Sequence, residues 1–190
     1  MSRRPGPGSK PAERYVAFLR AINVGGHVVK MEVLRTLFGD LGFTGVETFI
    51  ASGNVIFESG SKDRRDMEAR IERALQDALG YEVATFIRTV AEVAAIAQCR
   101  PFAPSAMATA IALNVGLLKG PLPPGGRGAL TRLITVIDNF DARGSEVYWI
   151  CLNKQSESKF TNAVFERALK IKATWRGMRT MERLAAKYPP

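Results

Sequence analysis

The order of strand-like and helix-like segments restricts the fold of this chain more than any other feature. In the first half, the hydrophobic pattern runs strand, helix, strand, strand, helix, strand. The segments are Tyr15–Leu19, Met31–Leu41, Val46–Ser52, Val55–Ser59, Asp63–Leu79 and Tyr81–Thr89. Glycine follows each helical segment, as is typical of a helix end, and Gly53-Asn54 indicates a short hairpin between the two central strands. The order βαββαβ predicts a ferredoxin-like unit.

The second half repeats this order of elements with little sequence identity. A strand, a short helix, a hairpin, a helix, a strand and a closing helix are predicted in turn. They correspond to Ile111–Leu118, the spaced residues Leu130, Leu133, Ile134 and Ile137, a hairpin turning near Arg143-Gly144, Phe160–Leu169, the strand IKATW and the helix RTMERLAAKY. The chain is therefore predicted to be an α+β protein of two tandem ferredoxin-like halves with a C-terminal helix.

The predicted domains follow from changes in composition along the chain. Residues 1–13 are basic and rich in proline and glycine, which indicates a disordered tail. The N-terminal half spans 14–98 and the C-terminal half with its closing helix spans 107–190. A short helix before Pro101 leads into a predicted linker at Cys99 to Ala106.

Charge and composition narrow the expected partners and location. The chain has 190 residues, 46% of them hydrophobic, which is enough to bury a core, and its net charge of +9 favours anionic partners. No apolar stretch is long enough to cross a bilayer, so no membrane partner is expected. With two cysteines and no sign of export, the predicted location is the cytoplasm.

Ferredoxin-like topology predicts a binding site at one end of the first sheet. A right-handed crossover makes the first two strands parallel, with the third strand between them, so the first loop and the hairpin share one sheet end. Polar and glycine residues converge there: Asn23, Gly25, Gly26, His27 and Lys30 from the loop, and Ser52, Gly53 and Asn54 from the hairpin. Free backbone amides and a helix N-terminus could hold an anion, with Lys30 as counter-ion. The alternative is that these glycines only form turns.

No motif in the chain specifies a reaction or a cofactor. The glycine loop is neither a Walker loop nor a dinucleotide fingerprint, and His27 is the only histidine, so neither a cofactor nor a metal site is predicted. An enzyme using His27 as base or Ser52 as nucleophile remains an alternative. The sequence around Ser52 is not a nucleophile elbow, and no carboxylate is evidently placed to orient the imidazole.

Nucleic-acid binding is a second alternative. The densest basic stretch is KIKATWRGMRT, which contains Arg176 and Trp175. Trp175 could stack a base, although packing at a domain edge is the commoner role of such a residue. The aromatic residues on predicted strands are expected in the core, and no RNP-type motif is present.

Three stretches together resemble the bacterial domain-of-unknown-function family 1697. They are RYVAFLRAINVGGHVVKMEVLRTLFGDLGFTGVETFIASGNVIFES, SESKFTNAVFERAL and ATWRGMRT. The resemblance implies a compact protein with ferredoxin-like halves and no established activity. Besides the loop and hairpin residues, it adds Arg20, Lys159 and Arg176 to the candidate ligand-binding set. The chain departs from the family pattern at Ala21, where glycine is usual, and at Gly177-Met178, where Asn-Trp is usual.

The sequence thus favours binding of an anionic or phosphorylated small ligand, and it leaves the ligand and the oligomeric state open. The candidate ligand-binding residues are Arg20, Asn23, Gly25, Gly26, His27, Lys30, Ser52, Gly53, Asn54, Lys159 and Arg176. A role in protein interaction, with an exposed apolar surface in place of a pocket, is a further alternative.

Overall fold

A computed structural model describes residues 12–23, 28–50 and 53–190, which divide into two compact units after Val90. The predicted linker at Cys99 to Ala106 lies beyond this division. The strands are β1 (Glu13–Leu19), β2 (Thr44–Phe49), β3 (Asn54–Ser59), β4 (Thr85–Thr89), β5 (Ala112–Leu117), β6 (Asp138–Arg143), β7 (Glu146–Cys151) and β8 (Thr174–Gly177). The helices are α1 (Met31–Asp40), α2 (Arg64–Leu79), α3 (Val90–Gln98), α4 (Pro104–Thr109), α5 (Gly126–Thr131), α6 (Asn162–Leu169) and α7 (Met178–Lys187), with one turn of 3-10 helix at Gln155–Glu157.

The first unit contains a four-stranded sheet in the order β2-β3-β1-β4. Neighbouring strands are all antiparallel, so β1 and β2 are parallel to each other with β3 between them. This is the order that the βαββαβ pattern predicts. Alternate β1 residues Tyr15, Ala17 and Leu19 share one buried cluster with Leu34 of α1 and Ile71 of α2.

The second unit repeats this architecture with the sheet order β6-β7-β5-β8, again fully antiparallel. The prediction of tandem ferredoxin-like halves with a closing helix is confirmed. Its core is aromatic: the Trp175 ring lies edge-on to Phe165, with 5.3 Å between their centroids. Gly116 on β5 makes room for this ring, because a Cβ there would lie 2.8 Å from Trp175.

Helix carboxylates cover the outer edge of strand β4. Glu72 of α2 accepts a hydrogen bond from the Thr85 N–H at 2.8 Å, and Glu68 accepts one from Ile87 at 3.0 Å. An open sheet edge presents a row of unpaired N–H groups that favours aggregation. These two carboxylates accept hydrogen bonds from two of those N–H groups, and Glu68 is buried in this position.

Three local predictions are corrected by the structure. The hairpin turn was predicted at Gly53-Asn54, but β2 ends at Phe49 and Asn54 is the first residue of β3, so the connection is the four residues 50–53. The helix predicted through Ile134 and Ile137 ends at Thr131. Helix α4 occupies part of the predicted linker.

The shortened helix α5 has a clear physical cause. The Thr135 Oγ1 accepts hydrogen bonds from the backbone N–H groups of Ile137 and Asp138, at 3.2 and 3.0 Å. Such side-chain bonds offer the backbone an alternative to the helical pattern. The apolar residues after Thr131, up to Ile137, therefore continue the helical spacing without forming a helix. Within 12–23, 28–50 and 53–190, no helix is long and apolar enough to span a membrane.

Candidate functional site

The end of β1 and the hairpin between β2 and β3 are joined directly. The Leu19 N–H donates to the Gly53 carbonyl at 2.8 Å. Gly53 has φ +71°, and a Cβ at this position would lie 2.7 Å from Ile22 Cγ2 and 3.2 Å from Leu19 Cβ. Glycine is therefore required for both its backbone angle and its lack of a side chain. This contact places Gly53 against the start of the first loop, as the topology predicts.

The described ends of the first loop are tied to each other and to the end of α2. The Asn23 Oδ1 accepts a hydrogen bond from the Val29 N–H at 2.9 Å, which brings the two sides of the loop together. The Tyr81 hydroxyl donates to the Ile22 carbonyl at 2.9 Å. Asn23 thus has a structural role that is independent of any ligand.

Helix α1 begins beside this loop without a side-chain cap. Its N-cap residue is Lys30, whose side chain makes no capping hydrogen bond, whereas α2 is capped by Asp63 and α6 by Thr161. The first N–H groups of a helix have no partner within it and carry a partial positive charge. The start of α1 therefore combines the exposed Lys30 ammonium group with the partial positive charge of a helix N-terminus, while the Val33 N–H donates to the Lys30 carbonyl at 3.1 Å.

The pKa of Glu32 shows how this helix start acts on a negative charge. The backbone N–H of Glu32 holds the pKa of its own carboxyl below the ordinary value, with a further contribution from Arg35 and a smaller one from Lys30. The Arg35 Nη2 lies 2.7 Å from Glu32 Oε1. The group that the start of α1 stabilises in this structure is thus the chain's own Glu32 carboxylate, together with Arg35.

Arg20 and Asn54 have backbone roles in the structure. The Arg20 N–H donates to the Ala84 carbonyl at 2.8 Å, and the side chain is half-buried. Asn54 is buried, and its Nδ2 donates to the Phe49 carbonyl at 3.1 Å, which closes the hairpin connection. The side chain of Asn54 therefore stabilises the hairpin.

The remaining candidates are distributed between the two units. Gly25, Gly26, His27 and Ser52 lie outside the described residues. Lys159 and Arg176 belong to the second unit, where Lys159 is exposed beside the start of α6. Arg176 is half-buried, its Nη1 donates to Thr174 Oγ1 and to the Trp175 carbonyl, both at 2.9 Å, and burial lowers its pKa to about 10.

Ser158 belongs to a buried hydrogen-bond network that the sequence analysis missed. The Ser158 Oγ donates to the carboxylate of Asp138 at 2.9 Å and accepts the Phe160 N–H at 2.9 Å. The Trp149 Nε1–H donates to Asp138 Oδ1 at 2.8 Å, and the Thr135 hydroxyl donates to Oδ2 at 2.9 Å. The N-cap of α6 is Thr161, whose hydroxyl oxygen accepts the Val164 N–H at 3.2 Å.

In the sequence, the only sign of this network is that an aspartate and a tryptophan lie on the two strands of one hairpin. A buried tryptophan N–H needs an acceptor, and Asp138 lies on the strand beside Trp149. The segment carrying Ser158 reaches the same carboxylate from a distant part of the sequence. The network connects three separate segments, so spacing along the chain does not reveal it.

Trp175 packs inside the second unit. Its indole Nε1–H donates to Asn162 Oδ1 at 3.0 Å, and its ring lies against Phe160, Phe165 and Trp149. The ring is half-buried and packs against the aromatic core of this unit, which is the packing role that the sequence also allowed.

The structure describes both cysteines and all the acidic residues of the chain. Both cysteines are free, and burial raises the pKa of the Cys151 thiol, which keeps it protonated at neutral pH. In the part of the chain that the structure describes, no three His, Cys, Asp or Glu side chains are grouped to hold a metal ion.

Ala21 adopts a backbone conformation that favours glycine. Its φ is +58°, a left-handed angle that costs an L-residue about 1 kcal/mol or more. This explains physically why glycine is usual here in the resembling family. We expect Ala21→Gly to raise the free energy of unfolding by about 0.5–1 kcal/mol, after allowing for the greater entropy of glycine in the unfolded chain. Urea denaturation measures the change.

A matched substitution distinguishes this effect from glycine substitution in general. Ala69 lies exposed in the middle of α2, so Ala69→Gly is expected to lower the free energy of unfolding by about 1 kcal/mol. Destabilisation by both variants would contradict strain at Ala21.

The chain is similar to known proteins both in sequence and in fold. Residues 12–148 match a family described as "Protein of unknown function (DUF1697)". The fold is similar to that of the conserved bacterial protein SP0830 from Streptococcus pneumoniae, with a TM-score of 0.71 and 20% sequence identity, covering 93% of this chain and 98% of that chain. At this identity the likeness is one of fold. The search of curated proteins gives no match.

Proposed function

Since the chain belongs to DUF1697, a family of proteins of unknown function, we propose its function from its own residues. It binds a small anionic ligand, such as a phosphorylated metabolite, where the first loop, the β2–β3 hairpin and the start of α1 meet. The observation that carries the proposal is the uncapped N-terminus of α1 with Lys30 at the N-cap position. An anion at this position would lie at the positive end of the helix dipole and would neutralise the ammonium group.

The surroundings of α1 support the same conclusion. The loop is closed at its base by Asn23 and Val29, and the hairpin is held against it through Leu19 and Gly53. The first support is a side-chain-to-backbone hydrogen bond and the second joins two backbone groups, and both are formed without a ligand, so a ligand binding there would not have to form them. The lowered pKa of Glu32 is consistent with this, because its main causes are the Glu32 backbone N–H and Arg35 at the same helix start.

Binding of inorganic phosphate, nucleotides and sugar phosphates is therefore expected to depend on Lys30. Lys30→Ala should weaken binding by roughly tenfold, because one charge-assisted hydrogen bond is lost. Glu32→Gln should strengthen it, since the substitution removes the negative charge nearest to the incoming anion. Isothermal titration calorimetry at low salt, together with thermal shift, measures both effects.

The matched control is Lys62→Ala. Lys62 is also exposed and lies next to a helix N-terminus, but there Asp63 already accepts the Asp66 N–H at 3.0 Å. Its replacement should leave affinity unchanged. Equal losses in the two lysine variants would indicate general charge attraction and overturn the proposed site, as would an absence of binding to every anion tested.

Short RNA in the same titrations tests the nucleic-acid alternative. Binding that falls steeply with salt and is insensitive to Lys30→Ala would favour a phosphate backbone over a small ligand. The enzymatic alternative depends on His27 and Ser52 and stays a prediction. We assign the protein to the cytoplasm, which is consistent with its two free cysteines.

A further inference from the structure

A groove between α1 and α2 has an apolar floor and an acidic rim. It has a volume of about 690 Å³, and its floor consists of Val33, Leu37 and Leu41 on one side with Ala74 and Ala78 on the other. Val33 is 42% exposed and lies on α1 beside the buried residues Leu34 and Phe38. Three carboxylates border this floor: Glu32, Asp40 and Asp77.

Two of the rim carboxylates lie where the helices disfavour them. Asp40 is the last residue of α1, and Asp77 lies in the last turn of α2, and neither helix has a basic residue in its last turn. A negative charge near a helix C-terminus faces the negative end of the helix dipole. Among the described residues, neither carboxylate makes a hydrogen bond or an ion pair, whereas Glu32 is paired with Arg35. Both acids are therefore expected to reduce helix stability, and at the end of α1 the Arg70 Nη2 of α2 donates to the Leu41 carbonyl at 2.6 Å.

We propose that this α1–α2 groove binds a cationic amphipathic helix of a partner protein. The apolar floor requires an apolar stripe on the occupant, and the acidic rim requires flanking Lys or Arg residues. The groove has a negative rim although the chain as a whole has a net charge of +9. It therefore attracts positive partners that the rest of the surface would repel.

The dimensions favour a helix over a small cation. α1 is ten residues long, or about 15 Å, which matches roughly three turns of a partner helix lying alongside it. Glu32 and Asp40 are separated by about 12 Å along the α1 axis, so basic residues about eight positions apart would meet both. The alanines at 74 and 78 are one turn apart on α2 and allow the partner backbone to approach closely.

The free protein offers a first test of the unfavourable acids. Asp40→Asn and Asp77→Asn are each expected to raise the melting temperature by about 2–5 °C, because each removes a negative charge from a helix C-terminus. Glu182→Gln removes an exposed carboxylate from the middle of α7 and should leave the melting temperature unchanged. A lower melting temperature in both Asp variants would overturn the electrostatic basis of the proposal.

Binding is tested with a synthetic amphipathic peptide carrying leucines on one face and lysines eight residues apart. The full chain should bind it, and a peptide with the lysines replaced by glutamate should not bind. Each rim substitution should weaken binding up to about fivefold, and the double variant more, while Glu182→Gln has no effect. Val33→Ser should also weaken binding through loss of apolar contact. Fluorescence anisotropy gives the affinities.

The proposal would be overturned if the cationic peptide did not bind, or if the double variant and Glu182→Gln bound it with equal affinity. It would also be overturned if a short alkylammonium ion displaced the peptide as effectively as unlabelled peptide does, because that would identify a small-cation site. Amide chemical-shift changes confined to α1 and α2 are expected on peptide binding, and changes confined to the second unit would contradict it. This inference does not depend on the anion site, because one titration uses anions and the other uses a cationic peptide.

Discussion

Replacement of Asp138 by alanine is expected to lower the free energy of unfolding of the second unit by about 3–5 kcal/mol. The carboxylate is 2% exposed and accepts hydrogen bonds from Trp149, Ser158 and Thr135. Its loss leaves the buried indole N–H without an acceptor and frees the segment before α6 from β6. Bonds to a charged acceptor are worth more than neutral ones, and an orphaned buried donor costs its full desolvation. Guanidinium denaturation followed by tryptophan fluorescence measures the loss.

Two further variants distinguish the loss of these hydrogen bonds from the loss of any carboxylate on the same strand. Asp141 lies on the same strand and pairs with Arg143 at 2.8 Å on the surface, so Asp141→Ala should cost less than about 1 kcal/mol. Asp138→Asn retains one carbonyl acceptor and should fall between the two alanine variants. A shifted indole proton resonance of Trp149 in Asp138→Asn would report the altered bond directly. Equal stabilities of Asp138→Ala and Asp141→Ala would contradict the network's importance.

The architecture could be predicted from the sequence because the two kinds of periodicity are local. Alternating and helical apolar patterns indicate the order of elements, and the ferredoxin-like sheet order then follows from connection rules. Helix ends were less predictable where side chains bond to the backbone. The apolar residues up to Ile137 fit a helix by spacing, but the bonds made by Thr135 stop it.

The convergence of the first loop and the hairpin was also predictable, because topology alone brings them to one sheet end. The role of Asn54 was not, since its amide bonds to Phe49 across a connection two residues longer than the predicted turn. The Asp138 network and the α1–α2 groove depend on side chains from segments far apart in sequence. Neither produces a local pattern, which is why spacing could not reveal them.

Gly53→Ala is the second substitution for which we expect a large loss of stability, about 2–4 kcal/mol in the first unit. A left-handed φ of +71° costs alanine about 1 kcal/mol, and the added Cβ would lie 2.7 Å from Ile22 Cγ2. Ile22 is buried and its branched side chain has few alternative rotamers, so the backbone must move. That movement strains the 2.8 Å bond between Leu19 and Gly53, and any ligand binding at the first loop should weaken with it.

Gly80 provides the matched control for this contact. Its φ is +80°, yet an added Cβ would meet nothing within 4 Å, so Gly80→Ala isolates the cost of the backbone angle at about 1 kcal/mol. The difference between the two variants, measured by urea denaturation, is the contribution of the close contact with Ile22. If Ile22→Ala is combined with Gly53→Ala, the two losses should be less than additive, because the first substitution removes the atom that the second one meets. If the losses of stability were fully additive, or equal at Gly53 and Gly80, Gly53 would be needed only for its turn conformation. The position of the hairpin would then not depend on Ile22.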